Sequence, residues 1–371
     1  MNFNRRTLGC AAAAVLIGAL LFVWLRPREP EYQGRRLSEW LKGFSYLQPN
    51  DTEDTEARAT EAAVAVRAMG TNCLSTLMAM LQAKDSSLKR HVTRWLDKQS
   101  VIRFHFSNAA DLRNQAELAV GALGPLAKPA IPRLVTLLKD DELAGSAVFT
   151  LTKIGPDALP ALAAALTNDS RNVRRWVVGA LGHTKFSSQE ILPLVRQACV
   201  FPDSEERSYV ARALGDYHQH RDAALPGLLQ LVEDEEPSVR ASAVQGVARL
   251  RGPAAESAPV FARAIRDADH RVARAGVAGA RQLAPAQADV LVPPLIVKLN
   301  EPDGAPLRLA VLALARFGDK AKPAVPALVR LASNASLPLR ETAVAALYAV
   351  DPQAAAAAGF KPTGQSANPL E

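Results

Sequence analysis

The sequence predicts an all-α chain: an α-solenoid of about nine stacked helical hairpins, preceded by one N-terminal transmembrane helix. Three observations predict it. A period near 33 residues runs through most of the 371-residue chain. Each period holds two apolar stripes at helical spacing. A run of 19 uncharged, mostly apolar residues, Thr7 to Leu25, lies near the N-terminus.

The period is read from a position zero that lies three residues before a small side chain and ten before a larger apolar one. It falls at Ala59, Arg113, Ala144, Arg174, Arg207, Arg240, Ala273, Leu307 and Arg340. After a first gap of 54 the spacings are 31, 30, 33, 33, 33, 34 and 33. A repeat of this length marks stacked supersecondary units rather than one globular core.

Within a unit, small or apolar residues recur at +3, +7 and +10, as in Ala116, Val120, Leu123 and Ala343, Leu347, Val350. Those offsets share one stripe of a 3.6-residue helix. Glycine follows at +11 in Gly70, Gly124, Gly155 and Gly318, suiting a helix end that needs positive φ. Proline recurs at +19 in Pro132, Pro193, Pro226, Pro259 and Pro326. Pro160 joins them if its loop is three residues shorter, and Pro293 if its loop is one longer. A proline ahead of an apolar pattern reads as a first-turn residue of a second helix, where its missing N–H costs nothing. Apolar residues then fall at +21, +24 and +25 (Leu134, Leu137, Leu138; Leu228, Leu231, Val232). Asp140, Asp234 and Asp267 at +27 are placed to cap the next unit. Two amphipathic helices alone leave a shared apolar face wet, and stacking copies buries it continuously.

The pattern resembles HEAT repeats of the short bacterial type, close to the armadillo class. The likeness is carried by Val239-Arg240-Ala241-Ser242-Ala243-Val244, Leu339-Arg340-Glu341-Thr342-Ala343-Val344 and the Pro-led Pro326-Ala327-Leu328-Val329. It covers roughly residues 56–352, with a period shorter than that of long HEAT units. The resemblance implies a right-handed superhelix of HEAT-like hairpins, with the second helices lining a concave binding face. On this reading residues 1–6 are a tail, 7–25 a signal anchor, 26–55 a linker and capping helix, 56–352 the solenoid, and 353–371 a C-terminal cap and disordered tail.

Arg5 and Arg6 precede the apolar run, Arg26 and Arg28 follow it, and Trp24 suits an interface. As a helix the run spans roughly 28 Å, close to the hydrocarbon thickness. No small-residue cleavage site follows it, so it reads as an uncleaved signal anchor. A short arginine-bearing tail that stays cytoplasmic would leave the body extracytoplasmic, on the periplasmic side. Beyond it, Leu37, Trp40, Leu41 and Phe44 form the apolar side of a short helix that Ser38 is placed to cap. That helix is expected to cover the open face of the first repeat.

The net charge is +7, but residues 1–36 carry six Arg against two Glu. The remainder holds 38 basic against 35 acidic residues, a weak electrostatic case for nucleic acid. Cys73 and Cys199 read as buried thiols rather than a disulfide. No nucleotide loop, zinc-finger spacing or hydrolase motif is present. His218 and His220, in Asp216-Tyr217-His218-Gln219-His220-Arg221-Asp222, offer a weak metal pair without a third ligand. The stretch containing Lys89-Arg90-His91, Arg94, Trp95, Lys98, Arg103, Phe104, His105 and Phe106 mixes basic and aromatic residues, and reads as a degenerate repeat with Trp95, Leu96 and Phe104 in its core. The arginines at position zero read as architectural, pairing with an aspartate in the preceding turn (Asp169 with Arg174, Asp234 with Arg240).

The remaining candidate site is a polar stripe on the second helices: Thr136, Gln197, Gln230, Arg263 and Arg330 at +23, joined by Arg266 and Lys298. The reading is a membrane-tethered protein-interaction scaffold without catalytic residues or cofactor, binding protein partners and not nucleic acid. The resemblance also brings in two other classes. One is a repeat enzyme akin to phycobilin lyases or alkyl-base DNA glycosylases, and the other is a cell-envelope assembly factor for peptide or polysaccharide.

Overall fold

The computed structural model describes residues 29–44, 54–86, 108–300, 305–334 and 337–361. The predicted anchor at 7–25, the basic–aromatic stretch at 89–106 and the tail beyond 361 lie outside these residues. The chain divides into two compact units between Leu137 and Leu138.

The first unit opens with a two-stranded hairpin, β1 (Glu31–Tyr32) and β2 (Arg35–Arg36). Gln33 and Gly34, at φ 50° and 74°, supply the left-handed turn that such a hairpin requires. It leads into α1 (Leu37–Trp40) and a 3₁₀ turn, Leu41–Phe44. Leu37, Trp40, Leu41 and Phe44 are all buried, as their spacing predicts. Ser38 is not the cap, however: Arg36 holds that position, and the Ser38 amide donates to the Glu29 carboxylate at 3.3 Å. Gly43 lets this cap lie against α2 (Asp54–Met69), because a Cβ there would stand 2.7 Å from the Arg58 carbonyl. The unit continues with α3 (Leu74–Leu81), α4 (Ala109–Leu123) and α5 (Ile131–Leu137). By length and composition one described run, Thr55–Leu81, could cross a membrane. It forms the first hairpin, and its Ala62, Ala65, Val66, Leu77, Met78 and Leu81 are buried in the repeat core.

The second unit holds seven further pairs. They are α6 (Ala144–Ile154) and α7 (Leu159–Ala165), α8 (Arg171–Leu181) and α9 (Ser188–Cys199), and α10 (Ser204–Leu214) and α11 (Arg221–Leu231). Next come α12 (Pro237–Leu250) and α13 (Ala254–Ile265), α14 (His270–Leu283) and α15 (Ala288–Lys298), and α16 (Ala305–Phe317) and α17 (Val325–Asn334). The last pair is α18 (Leu337–Val350) with the short α19 (Pro352–Ala357). Every predicted position zero falls in a first helix, from α2 to α18. The inward offsets hold: Ala116, Val120 and Leu123 are buried, as are Ala343, Leu347 and Val350. First helices pack on first helices (α10 on α12, α12 on α14, α14 on α16), and second on second (α9 on α11, α13 on α15). Small residues set the spacing, and a Cβ at Gly246 would meet the Ala211 carbonyl at 2.7 Å.

The recurrent prolines divide into two sets. Pro132, Pro160 and Pro326 are second residues of α5, α7 and α17, in the first turn as expected. Pro193, Pro226, Pro259 and Pro293 stand one turn deeper, inside α9, α11, α13 and α15. The residue at +11 sorts them. Gly124, Gly155 and Gly318 have positive φ and open a 3₁₀ turn, which delays the second helix. Lys185, His218, Arg251 and Ala284 hold that place in the other repeats, and there the second helix starts earlier. All seven prolines are exposed on their helices.

Candidate functional site

The second helices of the second unit present their +23 side chains as a row. The row reads Ala164, Gln197, Gln230, Arg263, Val297 and Arg330. Hydrogen bonds that reach back one repeat tie it together. Gln197 Nε2 donates to the Ala163 carbonyl at 3.4 Å, the Arg263 guanidinium pairs with Glu233, and Arg330 donates to the Leu299 carbonyl at 3.2 Å and to Asn300. Gln230, Arg263 and Arg330 are exposed, and Gln197 is half-buried. Arg266, just past the end of α13, is exposed. Thr136, in the first unit, is exposed and donates back to the Arg133 carbonyl at 2.7 Å.

Lys298 does not join the row. It is buried, with 5% of its surface exposed. The one-residue-longer loop that shifts Pro293 moves the outward place from Ile296 to Val297, 53% exposed, while Lys298, five residues past Pro293, stands where buried Ala264 stands after Pro259. Arg263 is moreover balanced by Glu233. The predicted basic character of the C-terminal half of the face therefore rests on Arg266 and Arg330.

Beside the row, two successive repeat junctions open grooves. The deeper one, about 530 Å³, has apolar walls from Leu229, Val232, Val244, Pro259 and Val260, and the Glu233–Arg263 pair at its rim. The preceding junction has a counterpart of about 560 Å³, bounded by Val200, Phe201, Gln230 and Glu235. Val200 is 63% exposed and Leu229 37%, two apolar side chains on this face that the helical pattern did not flag. The exposure of Val200 follows from its place one residue beyond the end of α9.

An arginine ladder floors these grooves. Arg174 Nη2 meets Glu206 at 2.6 Å, Arg207 forks onto Asp234 at 2.7 and 2.9 Å, and Arg240 forks onto Asp267 at 2.9 and 3.0 Å. The carboxylate comes from the following repeat, not from the preceding turn as expected. What the preceding turn gives is backbone: Arg174 also reaches the Asn168 and Asp169 carbonyls, and Arg240 those of Asp234 and Glu235. A planar guanidinium with five donors serves both turns at once, which no lysine could do. Asp234 and Asp267 in turn accept from the Glu236 and Asp269 amides two residues on, but they are not the helix caps foreseen for +27: Glu236 and Asp269 hold the N-cap positions of α12 and α14. Burial opposes ionisation of both aspartates, yet the hydrogen bonds from Arg207 and Arg240 and from those amides hold their carboxyls below the usual range. The same bonds raise the arginine pKa values.

The histidine pair is split. His220 is buried, with Nε2 3.0 Å from the Thr184 carbonyl, while His218 is exposed beside Asp216, Arg249 and Arg251. Among the described residues no three His, Cys, Asp or Glu side chains are grouped to hold a metal. Cys73 and Cys199 are buried free thiols, pushed by burial up to about 11 and about 12 respectively.

A family model for HEAT repeats matches residues 131–200 and 192–280. No curated protein matches the chain. Among solved structures the chain is similar to Kap95p, from a structure describing its binding to RanGDP, at 15% identity and TM-score 0.43, covering 84% of this chain and 46% of that one. It is also similar to the Pds5–Scc1 complex at 12% identity and TM-score 0.42, covering 84% and 56%. A Kap95:Nup1 complex matches at 14% identity and TM-score 0.41. The chain thus spans about half the length of these structures. Residues 131–280 are thus similar to HEAT repeats, and the fold is an all-α solenoid.

Proposed function

We propose that the chain is a membrane-tethered, non-catalytic scaffold whose second-helix face captures a protein partner. One observation carries this reading. The same surface unit recurs at successive repeats: an apolar groove, an exposed row residue beside it, and an arginine–carboxylate pair beneath. A recurring unit suits a partner laid across several repeats rather than a small molecule held in one pocket. Exposed apolar side chains such as Leu229 and Val297 supply desolvation, and Arg266 and Arg330 supply charge that favours an acidic segment. The tether would be the apolar run at 7–25, with the body extracytoplasmic.

Crosslinking in cells, followed by capture on the full-length chain, tests the reading. Arg266→Glu with Arg330→Glu should reduce partner recovery at least several-fold without changing the helical spectrum. Recovery from the native chain should fall as salt rises, because exposed charges are screened within about 10 Å at 0.1 M. Equal recovery by the variant would overturn the placement. For the tether, the full chain should resist carbonate extraction from membranes, and a chain lacking residues 1–28 should not.

A further inference from the structure

Where the first helices of the second unit end, α10, α12 and α14 share one polar hollow of about 500 Å³. Its walls are Asp216 and His218 just past α10, Ala248 and Arg249 in the last turn of α12, Arg251 just past it, and Gln282 near the end of α14. The polar ones hold the +9 and +11 offsets of consecutive repeats. Arginine stands at both offsets in α12 alone. Arg249 is built into the hollow. Its Nη2 donates to the Arg212 carbonyl in the last turn of α10 at 2.5 Å, and its Nε stands 3.5 Å from Asp216. Gly215 makes the room, since a Cβ there would stand 2.9 Å from that Nη2 and 3.0 Å from Nε. The guanidinium is fixed in place with its Nη1 unspent, and Asp216, the one carboxylate in the lining, orients it.

Arg251 is held beside it against the preference of its own backbone. It has φ 51° at the offset where Gly124, Gly155 and Gly318 supply positive φ without strain. Strain of this kind is retained where the side chain has a task. No contact inside the fold accounts for that task. Among the described residues the exposed Arg251 guanidinium makes no hydrogen bond or ion pair, and neither do the side chains of His218 and Gln282.

The donor count decides what the hollow can hold. Arg251, Gln282, His218 and the unspent side of Arg249 together present roughly ten N–H donors, against side-chain acceptors from Asp216 and Gln282 alone. A ligand that satisfies this lining is anionic and rich in acceptors. A phosphoryl group brings three strong acceptor oxygens and up to about two charges, more than a carboxylate offers. Planar guanidinium forks match its oxygens in pairs. We propose that this hollow binds a phosphoryl group, carried by a small soluble ester or by a lipid head group, with Arg249 and Arg251 as its principal contacts and His218 and Gln282 beside them. The inference is independent of the second-helix reading, since no residue is shared.

The test is a calorimetric titration of the full-length chain in detergent, with inorganic phosphate as the probe and chloride at matched ionic strength as its comparison. Phosphate should bind saturably and chloride should not. Arg251→Gly should weaken phosphate binding about tenfold or more, the loss expected for one charge-assisted contact, while the melting temperature without phosphate holds or rises. A merely structural arginine would lower both. Arg249→Gln should weaken binding as well. Arg274→Gln removes another exposed charge, two turns or roughly 12 Å before Gln282 on α14, and should leave binding unchanged. Glycerol 3-phosphate and phosphatidic acid vesicles separate the two sources: uptake of the soluble ester marks a free ligand, and uptake of the vesicles alone marks a head group. Phosphate that binds no better than chloride, or as tightly to the Arg251→Gly variant as to the native chain, would overturn the proposal. So would an equal loss in Arg274→Gln, which would reduce the effect to net charge, or a loss of binding confined to variants that melt lower.

Discussion

Leu347 has no exposed surface, and Arg330 stands on the outward row with its guanidinium bonded to neutral acceptors. The two positions should respond very differently. Leu347→Asp places an unpaired carboxylate in the stack and should cost about 3 kcal/mol or more. Arg330→Ala removes exposed hydrogen bonds and should cost under about 1 kcal/mol. Denaturant midpoints of the two variants check this, and equal shifts would mean that the helical phase is wrong. That phase was legible in the sequence wherever the loop length was standard. Lys298 left the stripe for another reason: its charge suggested an outward place, yet it stands at +25, one of the inward apolar offsets. The arginine partners were misread for a different reason. Sequence proximity favoured Asp234 for Arg240, but a long guanidinium reaches across to the next repeat, and that contact depends on stacking distance alone.

At the level of the element, Arg251 is informative. It ends α12 with φ 51° and ψ 48°, in the left-handed region; Gly124 and Gly318, at the same offset, share the positive φ (56° and 57°), Gly124 with ψ −128°. A residue with a Cβ is strained there, so Arg251→Gly should stabilise the unit by about 0.5–1 kcal/mol. Thermal melting of the variant would show the gain; a loss would mean that the exposed side chain contributes a contact worth more than the strain. The hairpin grammar itself was fully readable, since stacking imposes the same apolar offsets on every copy. Where each second helix begins was not. The late starts follow a +11 glycine, whereas α13 starts early although Arg251 has positive φ, and the deeper prolines at 193, 226, 259 and 293 looked identical in sequence to those in first turns.

On the scale of the whole molecule, the packing of half-exposed Trp176 against Gly145 and Phe149 of α6 was invisible in the sequence. It requires residues of successive repeats to meet, and each alone reads as ordinary helix surface. The ladder is the other property that exists only once repeats are stacked. Arg174–Glu206, Arg207–Asp234 and Arg240–Asp267 join α8, α10, α12 and α14 through side chains that are 20% exposed or less. Removing one carboxylate leaves a nearly buried guanidinium without its partner. Asp234→Asn and Asp267→Asn should therefore each cost about 3–5 kcal/mol near neutral pH. The sign of the pH dependence follows from the lowered aspartate pKa values. A carboxyl that is more acidic when folded contributes stability that is complete above the ordinary value of about 3.9, and that contribution is lost as pH falls through the lower folded value. The native chain should thus hold its stability from neutral pH to about 5 and lose it progressively below about 4. The double variant, already weaker at neutral pH, should show a shallower acid loss, because the groups whose protonation drives part of it are gone. Urea midpoints at pH 7, 5 and 3 for both proteins measure the difference. Parallel profiles would mean that the ladder orders the repeats without contributing to their acid sensitivity.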